Sequence, residues 1–85
     1  MSGVISFCVM ARKRETTLRK FGRSLAELRL EADLTQEQLA ERSGLHPNYI
    51  GDLERGERNP TLMTLLALSD GFRCPLSELI KRSFT

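Results

Sequence analysis

The chain has 85 residues and a formal net charge of +2, which is enough for one small domain and leaves association between copies as an added source of stability. A mildly basic balance permits nucleic-acid binding without demonstrating it. Cys8 and Cys74 match no metal or redox spacing, so a reducing, cytoplasmic setting without a disulfide is expected, with no metal and no cofactor. No apolar run approaches the length of a membrane span.

Residues 1–16 read as an N-terminal extension and residues 17–85 as the folded domain. Met1–Met10, MSGVISFCVM, has three readings: an extension ahead of a translation start at Met10, a short β-strand built on Val4, Ile5, Phe7 and Val9, or a membrane-touching anchor. Arg12, Lys13 and Arg14 form a basic run that is either a solvated, disordered lead-in or an arm toward a DNA backbone or minor groove. Thr16 or Thr17 can cap a first helix that runs to about Ala32. Leu18, Phe21, Leu25 and Leu28 give it one apolar face at helical spacing.

The centre of the chain is Thr35–Asn59, TQEQLAERSGLHPNYIGDLERGERN. Thr35 suits an N-cap, and Gln38 completes a capping box for a helix from about Gln36 to Arg42. Ser43-Gly44 ends that helix, and Pro47 suits the first position of the next, which ends at Gly56. Leu39 and Ala40 on one helix, and Ile50 and Leu53 on the other, turn their apolar sides inward. The spacing predicts a helix-turn-helix whose second helix faces outward. Thr61 can cap a fourth helix, TLMTLLALSDG, apolar almost all round and therefore expected to be buried on more than one side. Pro75 opens a fifth, PLSELIKRS, with Leu76, Leu79 and Ile80 in a stripe and Phe84 beyond. The fold expected is all-α: five helices with a helix-turn-helix at the second and third.

The run LTQEQLAERSGLHPNYIGDLERGERNPTL resembles the Cro-repressor-type helix-turn-helix family, also called XRE-type or lambda-repressor-like, over roughly Leu18–Leu79. Its bare-domain size resembles the small controller proteins of restriction–modification systems. The resemblance implies an ion pair between Arg29 and Glu54 that links the first and third helices. If that pair is deeply buried, loss of one partner costs on the order of 3 kcal/mol. It also implies base contacts from Pro47, Asn48, Gly51 and Asp52, a phosphate contact from Gln36, and pairing of two copies through the last helix, where Leu76, Leu79, Ile80 and Phe84 either form the seam or pack within their own chain.

The residue types add chemistry to these positions. Asn48 can pair with adenine or cap its own helix. Asp52 can accept from cytosine or simply face solvent. Pro47 can touch a thymine methyl, and Gly51 allows close approach of the backbone. Because this row has few strong donors, Arg55 is expected to carry more of the load, on a guanine edge or a phosphate. Thr35 and Gln36 sit at a helix N-terminus that suits an anion. His46, Tyr49, Arg58 and Asn59 are further candidates for the DNA backbone. His46 can instead cap, and Tyr49 can instead pack.

The function expected is a sequence-specific, double-stranded DNA-binding transcription regulator acting as a homodimer on a palindromic operator. The alternatives are an antitoxin of the same fold, whose partner is a toxin, or a protein-interaction module; a contact with RNA polymerase is unproven. The single histidine has no matched cysteine or carboxylate pair, so an enzyme is not expected.

Overall fold

Helical periodicity in this chain resolves into five helices in a computed structural model, which describes the backbone of residues 3–84 and the side chains of residues 13–84. They are α1 (Gly3–Glu31), α2 (Gln36–Ser43), α3 (Pro47–Glu54), α4 (Leu62–Phe72) and α5 (Leu76–Phe84). Leu25, Leu39, Ile50, Leu53, Leu68 and Leu79 are fully buried and, with Phe21 and Ala40, form one core to which every helix contributes. Burying each such leucine or isoleucine contributes about 1.5–3 kcal/mol of transfer free energy. α1 lies against α3 and α5, and α2 lies against α3 and α4.

Local sequence explains most helix ends. The Thr35 hydroxyl accepts from the Gln38 N–H at 3.0 Å, and the Gln38 amide oxygen accepts from the Thr35 N–H at 2.8 Å, which is the expected capping box. Gly44 closes α2 at φ 73°, a left-handed conformation that costs other residues energy. Thr61 caps α4 by accepting from the Thr64 N–H at 3.1 Å.

α1 departs from expectation at its start. It does not begin at Thr16 or Thr17; the backbone is helical from Gly3. The stretch from Ala11 to Glu15 consists of strong helix formers with no glycine or proline to stop them. Glu15 also accepts from Arg19 one turn later, at 2.9 Å. The strand reading of Met1–Met10 therefore gives way to helix from Gly3 onward, while Met1, Ser2 and the side chains through Arg12, including Cys8, lie outside the described residues.

α4 and α5 also depart from it. Leu62, Met63 and Leu66 are exposed, so α4 is not buried on several sides. Its covered side is made of Thr64, Leu68, Ser69 and Gly71. The small residues let α2 approach closely: a Cβ on Gly71 would lie 3.2 Å from the Ser43 Cβ. On α5, Leu79 is fully buried in this chain's own core and Leu76 is half-buried against it. Leu79 therefore offers no surface to a second copy, and of the positions named for pairing only Ile80 and Phe84 are exposed.

α5 is tied to α1 by Arg82, which donates to both Glu31 carboxylate oxygens at 2.8 and 2.5 Å, while the Ser24 hydroxyl donates to the Arg82 carbonyl at 3.2 Å. The hydrogen bond from Arg82 holds the Glu31 carboxyl below its ordinary value of 4.5. The folded pKa lies below the unfolded one, so the contribution is complete above 4.5 and is lost as pH falls through the depressed value. Glu31→Gln is therefore expected to flatten the acid limb of a stability–pH profile below that value and to leave the profile's shape at neutral pH unchanged, as urea titrations across the range would record.

Candidate nucleic-acid interface

The α2–turn–α3 unit is held by its buried side. Leu39 and Ala40 of α2 meet Ile50 and Leu53 of α3 in the core, and the Leu45 N–H returns to the Ala40 carbonyl at 3.0 Å across the turn. Ala40 is 2% exposed, so a larger side chain there would push the two helices apart. Pro47 occupies the first turn of α3, and His46 caps it: its Nδ1 accepts from the Asn48 N–H at 3.1 Å. An imidazole accepting at Nδ1 carries its hydrogen on Nε2, which leaves one donor pointing away from the cap.

A polar cluster fixes α3 against the rest of the fold. Arg29 donates from Nε to Glu54 Oε2 at 2.6 Å and from Nη2 to Glu54 Oε1 at 3.2 Å, a two-point fork. Its Nη1 donates to the Leu34 carbonyl at 2.9 Å, and Gln36 donates to Glu54 Oε1 at 3.0 Å. The side chains of Arg29 and Glu54 are 13% and 9% exposed. Three segments thus converge on one carboxylate: the end of α1, the start of α2 and the end of α3. Gln36 keeps its place at the N-terminus of α2 while contributing to this clamp, a second role that its position alone did not announce.

The outer side of α3 carries the remaining candidates. Asn48 is exposed, Pro47 half-buried and Gly51 buried. With Gln36, Glu37, Asp52 and Arg55 they line a cleft of about 430 Å³. Asp52 and Arg55 are not independent groups: Arg55 Nη2 donates to Asp52 Oδ1 at 2.5 Å. Arg55 Nε donates to both oxygens of Glu57 at 3.1 Å, and Glu57 first, then Asp52, raises the Arg55 pKa above its ordinary value. Asp52 also faces Arg58 Nε at 3.5 Å. The Asp52 carboxylate is therefore engaged by two guanidinium groups. Glu57 reads from sequence only as the start of the loop after α3, with no role in the site; the available signal was an acid two residues beyond Arg55, across the Gly56 turn.

The other backbone candidates divide. Thr35 and Asn59 are exposed, though the Thr35 hydroxyl is occupied by its cap. Tyr49 takes the packing alternative: its hydroxyl shares a hydrogen bond with the Thr64 hydroxyl at 3.2 Å, joining α3 to α4. The guanidinium of Arg58 lies over the Tyr49 ring, 5.6 Å from its centre. Cys74 is a free thiol whose pKa is raised by burial and by Glu78, so it is protonated at neutral pH. Among the described residues, no group of three or more His, Cys, Asp or Glu side chains is placed to hold a metal ion, and no helix is long and apolar enough to cross a membrane.

Known proteins resemble this chain in sequence and fold. The chain is 52% identical over 50 residues to the control protein C.SmaI of Serratia marcescens, covering 59% of this chain and 60% of that protein. The match to the control protein C.MunI of a Mycoplasma species is 41% over 61 residues, covering 71% of this chain and 82% of that protein. Among solved structures, the restriction–modification controller protein C.AhdI of Aeromonas hydrophila superposes with a TM-score of 0.72 at 45% identity, over 73% of this chain and 94% of that one. The controller protein C.Esp1396I, solved as a tetramer in complex with its natural 35 base-pair operator, superposes with a TM-score of 0.70 at 33% identity, over 81% of this chain and 96% of that one. Residues 25–79, which span the end of α1 through the first turn of α5, match the helix-turn-helix family HTH_3, and the chain belongs to that family.

Proposed function

We propose that this chain is a sequence-specific, double-stranded DNA-binding transcription regulator that works as a homodimer, of the kind that controls restriction–modification systems. One observation carries the reading: α3 is locked by its buried side and by the Arg29–Glu54–Gln36 clamp, while Pro47, Asn48, Asp52 and Arg55 border an open polar cleft. A helix held in this way can enter a major groove without reordering the backbone behind it, and its N-terminal residues reach base edges. Asn48 is a direct reader there, suited to adenine N6 and N7. Thr35, Gln36, His46, Arg58 and Asn59 serve the DNA backbone. The names of the relatives support the same assignment, which includes no enzymatic activity.

Pairing of copies rests on the exposed Ile80 and Phe84, with the half-buried Leu76 beside them on α5. In a dimer the two α3 helices would meet half-sites about 34 Å apart. Duplexes selected from a random pool identify the operator. On that duplex Asn48→Ala is expected to weaken binding by on the order of 1–3 kcal/mol and to relax preference at one base pair. Gln36→Ala is expected to weaken selected and shuffled duplexes alike. Uniform losses from both variants, or a monomer in sedimentation at binding concentrations, would defeat the reading.

A further inference from the structure

The guanidinium of Arg55 is held at two of its nitrogens by this chain alone. Nε donates to both Glu57 oxygens at 3.1 Å, and Nη2 donates to Asp52 Oδ1 at 2.5 Å. Nη1 lies over Gly51, 3.2 Å from where a Cβ would stand. The side chain is therefore folded back one turn along α3, across a position with no side chain, toward the end of the helix that carries Asn48. A guanidinium has five N–H bonds in a planar fork. The bonds to Glu57 and Asp52 use the single Nε hydrogen and one from Nη2. The edge formed by Nη1 and Nη2 keeps its other hydrogens, and that edge matches O6 and N7 of guanine.

We infer that Asp52 and Glu57 are positioning residues that hold Arg55 across Gly51 and aim its Nη1–Nη2 edge at a guanine, so that an acid in the loop after α3 sets base preference without touching a base. This rests on the DNA-reading role proposed for α3. It reassigns Asp52: a carboxylate already engaged by Arg55 and Arg58 orients donors and does not itself read cytosine. The same bonds set the discrimination. The free edge can meet a guanine with both bonds intact, while the two carboxylates beside it repel a phosphate at the same place.

The test compares a duplex selected from a random pool with a shuffled duplex of equal length and composition, at one ionic strength, by fluorescence anisotropy. Glu57→Ala removes the brace. Glu37→Ala, on the rim of the same cleft and without a bond to Arg55, makes the same change in charge. Relative to Glu37→Ala, Glu57→Ala is expected to lose on the order of tenfold for the selected duplex and nothing for the shuffled one. Replacing one guanine by 7-deazaguanine, which lacks the N7 acceptor, should weaken the native protein and leave Arg55→Ala indifferent, with Glu57→Ala in between. If Glu57→Ala and Glu37→Ala shift both duplexes by equal factors, or if 7-deazaguanine acts the same with and without Arg55, the brace is wrong although α3 still reads DNA. A native protein with no preference between the duplexes removes the DNA-reading role itself, and this inference with it.

Discussion

Replacing Glu54 with alanine is expected to lower stability by roughly 3 kcal/mol, because it strands a charge that this carboxylate alone neutralises in the interior. Arg29 is 13% exposed and donates twice to Glu54; without that partner, only its bond to the Leu34 carbonyl remains among those it makes here. Gln36 loses its acceptor at the same time. For a domain of this size such a loss lowers the melting temperature by roughly 12–24 °C. Thermal unfolding followed by circular dichroism reads it directly. Replacing both partners by apolar residues of similar volume, Arg29→Met with Glu54→Leu, is expected to recover most of the loss, because no charge is then left buried. A Glu54→Ala protein within about 1 kcal/mol of the native one would mean that water reaches Arg29.

Gly22→Ala is the second large effect, and it arises from shape. An ideal Cβ at Gly22 would lie 2.4 Å from the Leu53 and Glu54 carbonyl oxygens, the backbone of the last turn of α3. No rotamer change can relieve contact with backbone, so α1 and α3 must separate along the contact that also carries Arg29 and Glu54. The expected cost is about 2–3 kcal/mol, after up to about 1 kcal/mol regained from better helix propensity. Gly51→Ala supplies the contrast. It brings the same gain in propensity, but the Cβ there meets Arg55 Nη1 at 3.2 Å and the Gln36 amide at 3.5 and 3.7 Å, ends of flexible side chains that can shift. That variant is expected to be as stable as the native protein or slightly more so. Urea titrations of the two variants decide the matter, and equal stabilities would contradict the close crossing of α1 over α3.

Gly44 and Gly22 show how much the sequence reveals. Gly44, at the end of a capped and amphipathic segment before a proline, reads as a turn because its signal lies within a few residues. Gly22 sits inside a helical pattern and gives no local sign of what crosses it. The interface divides in the same way. The capping box at Thr35, the proline start of α3 and the inward sides marked by Leu39, Ala40, Ile50 and Leu53 follow from residues near one another in the chain. The pairing of Arg29 with Glu54 came through family resemblance, since residues twenty-five apart in sequence carry no spacing rule that joins them.

Sequence alone determined that this chain forms helices, where four of the five begin, and that α2 and α3 form a turn-linked pair with a polar outer side. Caps, prolines and apolar periodicity act within one or two helical turns, and their energies depend little on the rest of the molecule. Tertiary structure decided what local energies cannot: that Leu79 turns into its own core while Leu62, Met63 and Leu66 stay on the surface, that Tyr49 reaches Thr64, and that Arg55 lies between Asp52 and Glu57. Those outcomes depend on how helices cross and on which side chains compete for the same acceptor, quantities set by the packing of distant segments.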